Sequence, residues 1–112
     1  MEIEIILRKL GIVSTYKGYK AAVIAVSLAL ENEDRLHSIT KDIYAETARR
    51  MNATPSAIEK NLRTVARRAW GVNRTDLERM AGYRLLAPPS VSEFLDILFN
   101  YFQRSRLHSR KK

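Results

Sequence analysis

The sequence predicts an all-α fold of about six helices that contains a helix-turn-helix and no winged helix. Three observations lead to this prediction. Apolar residues recur at helical spacing, strand-like alternation is confined to the first seven residues, and only four glycines and three prolines interrupt the 112-residue chain. A hydrophobic content of 46% is enough for one compact core. We therefore expect one helical domain over residues 1–106 and a basic, disordered tail over residues 107–112.

The first two helices are predicted at residues 2–10 and 17–31. The apolar residues of the first segment have helical spacing, and Gly11 can end a helix there. The same segment begins with an alternation that also fits a strand. Helix is favoured because no partner strand is visible. The second segment is apolar nearly all round, which is typical of a central helix.

Start and stop signals define the third and fourth helices. Thr40 is expected to cap the third helix, and Thr54 is expected to cap the fourth. Pro55 occupies the first turn of the fourth helix, where a missing N–H costs nothing. Gly71 is expected to end the fourth helix in a left-handed conformation.

These two helices are predicted to form the helix-turn-helix, at about residues 40–70. Only about four residues separate them, so the helices must cross closely. Ala48 is small enough for that crossing, Asn52 tolerates the positive φ of a sharp turn, and Ile58 can fill the angle between the helices. An ordinary helical hairpin would use the same residues.

Two helices complete the prediction. A short helix at residues 74–82 should end at Gly82. Ser90 and Glu93 form a capping box that leads into the last helix. The core candidates of that helix are Phe94, Leu95, Leu98, Phe99 and Phe102.

The fourth helix, at residues 54–70, has one apolar face and one basic face. Lys60, Arg63 and Arg67 fall on the side opposite the apolar stripe, with serine and threonine hydroxyls beside them. Long cations and small hydroxyls suit contact with phosphates and base edges. A solvated basic face, which is common, is the alternative.

Positive charge is concentrated in this helix and in the tail. The net charge is +8, and residues 49–74 carry seven cations against one anion. Residues 104–112 carry five cations and no anion. Such clustering indicates a polyanionic partner. An anionic membrane surface fits less well, because the basic helix has no Trp, Phe or Leu insertion face.

Other classes of function find little support. The chain has no cysteine, and His37 and His108 have no metal-ligand spacing around them. No nucleophile set, paired carboxylates or phosphate-binding glycine loop is visible, so we expect no enzyme, metal or cofactor. The N-terminus lacks the features of a signal peptide, and the longest apolar run, at residues 21–30, covers half a membrane span. A cytoplasmic protein is the default expectation.

Three motifs are unusually specific. They are Leu10-Gly11-Ile12 to Lys17-Gly18-Tyr19, the spacing of Ser56, Glu59, Arg63 and Ala69-Trp70, and Gly82-Tyr83 before Ser92-Glu93-Phe94. Together they resemble the C-terminal effector domain of stage 0 sporulation protein A, the sporulation transcription factor. The resemblance covers most of the chain.

The resemblance implies a six-helix domain that reads a short DNA box through its fourth helix. The implied DNA-binding positions are Ser56, Ala57, Glu59, Lys60, Arg63, Thr64 and Arg67. Lys60 replaces a usual arginine, and Ala57 stands where the family has an arginine that enters the major groove. Thr64 replaces a histidine and Arg67 a glutamate. These departures predict a different preferred sequence, or more affinity from phosphates and less from bases.

Several residues on and beside this helix carry expectations of their own. Glu59 can accept from a cytosine amino group, or it can orient Arg63 four residues later. Trp70 is expected in the core with a partner for its indole N–H. Arg68 is expected to be structural or a backbone contact. Arg49, at the end of the third helix, is a second candidate for phosphate contact.

The first interpretation is a sequence-specific transcription regulator that binds double-stranded DNA, with a homodimer on DNA left open. The alternative is a protein-interaction module that contacts RNA polymerase or its sigma subunit, or that antagonises a full-length regulator. Non-specific nucleic-acid binding is a weaker third interpretation. The family also joins this domain to an N-terminal receiver domain, which the first ten residues cannot hold. We therefore expect an excised domain or a stand-alone relative without that switch.

Overall fold

The computed structural model describes residues 2–110, with side chains up to residue 105. Its five α-helices are α1 (Glu2–Lys9), α2 (Tyr19–Glu31), α3 (Ala45–Met51), α4 (Pro55–Ala81) and α5 (Val91–Arg110). A 3-10 helix at Glu33–Ser38 and a π-helical turn at Ile39–Tyr44 lead into α3. No strand is present in residues 2–110, so the all-α prediction is confirmed. Because α4 is broken once, its two arms and the other four α-helices are close to the predicted number of about six helices.

The core is formed where α2, α4 and α5 pack together. Small residues on α2 let its neighbours approach closely, because Ala21, Ala22 and Ala25 are all fully buried. The helical interpretation of the first segment is confirmed by α1, which is followed by Gly11 at a φ of +84°. All of the core candidates on α5 are buried; they are Phe94, Leu95, Leu98, Phe99 and Phe102.

The predicted cap of the third helix is wrong. Thr40 lies inside the π-helical turn, and no side-chain cap is made there. The 3-10 helix continues without a gap through this turn into α3, so residue 40 is not a free helix start with unsatisfied N–H groups. The Thr40 carbonyl accepts instead from the Ala45 N–H, within the continuous helical stretch.

The turn between α3 and α4 follows the prediction. Asn52 has φ 54° and ψ 49°, and it is the one non-glycine residue with a positive φ in the described part of the chain. The Ala53 N–H donates to the Ala48 carbonyl at 2.9 Å, which closes the end of α3. The Thr54 hydroxyl accepts from the Ala57 N–H at 3.1 Å and so caps α4, with Pro55 at its start. These hydrogen bonds define the short turn that joins the two helices.

The predicted stop at Gly71 is wrong, because α4 passes through this residue. The break comes two residues later, at Asn73, with φ −143° and ψ 63°. The Asn73 side chain donates to the Lys9 carbonyl at 2.9 Å and accepts from the Asp76 N–H at 3.3 Å. Asn73 therefore begins the second arm of α4 and ties it to the end of α1. Gly82, at a φ of +82°, ends this arm as predicted.

The connection from α4 to α5 is held by specific hydrogen bonds. The Trp70 indole N–H donates to the Leu85 carbonyl at 3.0 Å, which is the partner that the sequence required. The Leu85 N–H donates to Glu78 Oε2 at 2.7 Å. That hydrogen bond, followed by the pairing with Arg74, lowers the pKa of Glu78. The start of α5 is thus placed against α4.

Only one half of the capping box at the start of α5 is formed. The Ser90 hydroxyl accepts from the Glu93 N–H at 3.1 Å, as predicted. The Glu93 carboxylate does not return to the residue 90 backbone; it accepts from the Tyr83 hydroxyl at 2.9 Å. The connection after Gly82 brings that tyrosine within reach, which the local motif could not indicate.

Candidate nucleic-acid interface

The N-terminal half of α4 separates its core side from its exposed side. Ile58, Leu62 and Val65 are fully buried, which fixes the rotation of the helix. All seven predicted DNA-binding residues lie on this half of α4. Exposed side chains belong to Ser56, Lys60, Arg63, Thr64 and Arg67, whereas those of Ala57 and Glu59 are half-buried. The seven residues predicted from the sequence therefore lie on one side of α4.

Glu59 and Arg63 form an ion pair on this surface. Arg63 Nη2 lies 3.0 Å from Glu59 Oε1, four residues earlier on the helix. Both side chains are partly exposed, so the pair contributes little to stability, on the order of 0–1 kcal/mol. Its effect is to hold the guanidinium along the helix while most of its donors stay available. In the unbound protein, Glu59 therefore orients Arg63, which is one of the two roles considered for it.

The remaining polar residues of the surface differ in their freedom. The Thr64 hydroxyl donates to the Lys60 carbonyl at 3.0 Å, which leaves it only as an acceptor for a ligand. Within residues 2–105, the side chains of Ser56, Lys60 and Arg67 make no hydrogen bond or ion pair. Two cations of the surface are therefore uncompensated. Such charges attract a polyanion without first breaking an internal pair.

Arg68 faces another direction, in agreement with its structural interpretation. Its Nε donates to the Gly11 carbonyl at 2.7 Å, and its guanidinium lies 4.7 Å from the centroid of the Tyr16 ring. These contacts join α4 to the segment between α1 and α2. Arg68 therefore stabilises the fold and lies outside the surface formed by Ser56, Lys60, Arg63, Thr64 and Arg67.

A carboxylate in the first turn of α3 pairs with two arginines of its last turn, and the sequence analysis did not single it out. Glu46 accepts from both Arg49 and Arg50, with Arg50 Nε at 2.9 Å from Glu46 Oε2. Hydrogen bonds from these two arginines lower the pKa of Glu46 to about 2. The spacings of three and four residues on a helix were the available signal. The cluster presents Arg49 at the surface beside the turn.

The ion pairs of Glu46 should give stability a specific dependence on pH. The folded-state pKa lies below the ordinary value of 4.5, so this contribution is present above pH 4.5 and is lost as the pH falls towards 2. Unfolding in urea should show wild type more stable than Glu46→Gln at pH 7, with the difference vanishing near pH 2. A difference that does not change with pH would contradict this origin.

A cleft lies beside the basic surface, between α4 and the start of α5. It is lined by Tyr44, Glu59, Arg63, Arg67 and residues 88–92. Burial raises the pKa of Tyr44; the Glu59 charge adds to this increase and the Arg63 charge opposes it. The cleft thus shares both arginines with the exposed side of α4.

Geometry and charge define a class of protein: an all-α domain of the helix-turn-helix type with a basic recognition surface. Residues 3–102 match the family described as sporulation initiation factor Spo0A C terminal, and the chain belongs to that family. This family is the DNA-binding effector domain of a transcription factor and not an enzyme family. The match confirms the resemblance drawn from the three sequence motifs.

Two further features, a membrane span and a metal site, have no candidate among the described residues. No helix within residues 2–110 has both the length and the apolar character needed to cross a membrane. The same part of the chain holds no group of three or more His, Cys, Asp or Glu side chains arranged for a metal ion.

Proposed function

We propose that the chain regulates transcription by binding a specific sequence in double-stranded DNA. The N-terminal half of α4 enters the major groove, where Lys60 and Arg63 face base edges. The same contact with the groove is lined by Ser56, Ala57, Glu59 and Thr64. Phosphates are held by Arg67 and Arg49. Arginine and lysine are the usual partners of guanine O6 and N7 in that groove. The family supplies the DNA-binding class; the assignment of individual residues is our proposal.

One observation carries this proposal. The exposed side of α4 keeps Lys60 and Arg67 free of internal partners among the described residues, directly opposite a fully buried apolar stripe. The core fixes the helix rigidly, so its cations point outward without rearrangement. A rigid helix placed in this way binds a groove with little loss of conformational entropy.

Substitution of Lys60 and Arg63 by alanine tests the assignment. Binding is measured to a duplex that carries the family's box and to a random duplex of equal length. Each lost base contact should weaken binding to the box by roughly 10- to 100-fold, since such contacts contribute about 1–3 kcal/mol. Binding to the random duplex should weaken less, so the preference for the box is lost.

The matched control removes two cations from another surface. Arg8 and Lys9 lie exposed in the last turn of α1, and Arg8→Gln with Lys9→Gln changes the net charge by the same amount. This variant should keep the preference for the box. If the Lys60→Ala/Arg63→Ala variant binds both duplexes as wild type does, the assignment is wrong.

A second candidate function is contact with RNA polymerase or its sigma subunit. The observation that favours it is Leu86, which is 82% exposed on a connection that is otherwise pinned to α4 through Leu85. A single exposed apolar residue is common on protein surfaces, so Leu86 is the position at which this function can be tested and carries less weight than the unpaired cations of α4. Binding to purified polymerase without a mobility shift on any duplex at low salt would favour this function over DNA reading.

A further inference from the structure

Tyr44 is a buried side chain whose hydroxyl has no hydrogen-bond partner among the described residues. Tyr44 is only 8% exposed, and among residues 2–105 nothing donates to or accepts from its hydroxyl. A hydroxyl in the wall of a cleft takes its hydrogen-bond partner from water or from a ligand. Because Tyr44 lines the cleft between α4 and α5, its missing partner can be supplied by a ligand in that cleft.

The charges around the cleft select an anion. Arg63 and Arg67 both line it, and Glu59 is the one carboxylate among its lining residues. Glu59 is already engaged with Arg63. Arg67 has no ion pair within the described residues, so its charge is left to attract a negative group. Because its pKa is raised, the Tyr44 hydroxyl also stays protonated and can donate.

The start of α5 adds backbone donors to the same cleft. The N–H groups of Glu93 and Phe94 are occupied by the Ser90 hydroxyl and the Ser90 carbonyl. The N–H groups of Val91 and Ser92 come earlier in the first turn, where a helix provides no acceptor. They stand at the positive end of a 20-residue helix, an arrangement that suits phosphate.

We propose that this cleft holds one backbone phosphate of the bound duplex, between Arg67, the Tyr44 hydroxyl and the first turn of α5. The inference rests on the proposed function and adds α5 as a second anchoring element. Arg63 lines the cleft and also belongs to the exposed side of α4, so a phosphate seated here belongs to the nucleic acid that α4 reads. The contact sets affinity and the register of the helix, not sequence preference.

Two substitutions test the site, with a third as a control. Tyr44→Phe removes the hydroxyl and keeps the buried ring, and Arg67→Gln removes the charge. Arg8→Gln removes an equal charge from α1. Tyr44→Phe should weaken binding to the box and to random duplex alike, by on the order of tenfold. Arg67→Gln should also reduce the slope of log affinity against log salt by about 0.9.

Neutral methylphosphonates then locate the phosphate. Each backbone phosphate of the box is replaced in turn by a methylphosphonate. At one position the replacement should strongly weaken binding by wild type and weaken binding by Tyr44→Phe much less, because that variant no longer donates to this phosphate. Urea unfolding of each variant confirms that the fold is retained. The inference is overturned if Tyr44→Phe and Arg67→Gln both bind duplex with the affinity of wild type. It is also overturned if wild type and Tyr44→Phe respond identically to every methylphosphonate.

Inorganic phosphate distinguishes the two sources of the same anion. If millimolar phosphate shifts the amide signals of Val91 and Ser92 and no methylphosphonate position matters, the cleft takes a free anion and the duplex assignment fails. If wild type binds no duplex, the proposed function fails instead. The phosphate titration remains informative in that case: absence of any shift would overturn the anion site as well.

Discussion

Replacing Gly18 with alanine is expected to lower the free energy of unfolding by about 2–5 kcal/mol. Gly18 has a φ of +96°, and a Cβ there would lie 2.8 Å from Val65 Cγ2 and 3.0 Å from the Asn61 carbonyl oxygen. Val65 is fully buried and Asn61 contributes α4 backbone, so neither can yield without moving the helix. Strain and steric overlap therefore add. Urea denaturation measures the loss.

Two other glycines provide matched controls for the same substitution. Gly82 has a φ of +82° and nothing within 4 Å of a built Cβ, so Gly82→Ala should show backbone strain alone, about 1–2 kcal/mol. Gly71 is helical and equally open, so Gly71→Ala should stabilise by roughly 0.5–1 kcal/mol. A Gly18→Ala variant no less stable than Gly82→Ala would show that the approach of α2 to α4 is not tight.

Replacing Ala57 with arginine is expected to change the DNA sequence that the domain prefers. Ala57 lies in the first turn of α4, one helical turn before Lys60, and its side chain is half-buried. An arginine at this position can reach a guanine with two parallel hydrogen bonds. Such a contact discriminates by about 1–3 kcal/mol, so one base position should gain a roughly 10- to 100-fold preference.

Selection of bound duplexes from a random library measures this change. Ala57→Lys is the matched control, because lysine carries the same charge without the planar fork that pairs with guanine edges. Lysine should raise affinity broadly, whereas arginine should enrich guanine at one position. If both variants enrich the same duplexes as wild type, residue 57 does not face the bases and the placement of α4 is wrong.

Local signals predicted the parts of the fold that depend on neighbouring residues. The turn at Asn52 and the Thr54 cap with Pro55 were predictable because each needs only a few consecutive residues. The orienting pair of Glu59 with Arg63 was predictable for the same reason, since helical spacing alone brings these side chains together. The apolar stripe of α4 then placed the basic surface opposite the core.

Long-range contacts determined what the sequence analysis missed. The break in α4 comes at Asn73 and not at Gly71, because the Asn73 side chain donates to the Lys9 carbonyl, 64 residues away in sequence. The cleft at Tyr44 exists only because the start of α5 lies against α4. Neither a glycine nor a capping box indicates which residues distant in sequence will pack against it. The error at Thr40 has a local cause, because helical structure continues without a break across residues 33–51 and leaves no helix start to cap.

We propose that Arg63 and Lys60 read base edges in the major groove. Methylation of guanine N7 places a group in that groove and leaves the minor groove unchanged, so interference by methylated guanines tests the claim most directly. We expect wild type to be blocked at particular guanines of its box and Arg63→Ala to lose sensitivity at one of them. Identical interference patterns for wild type, Arg63→Ala and Lys60→Ala would contradict it.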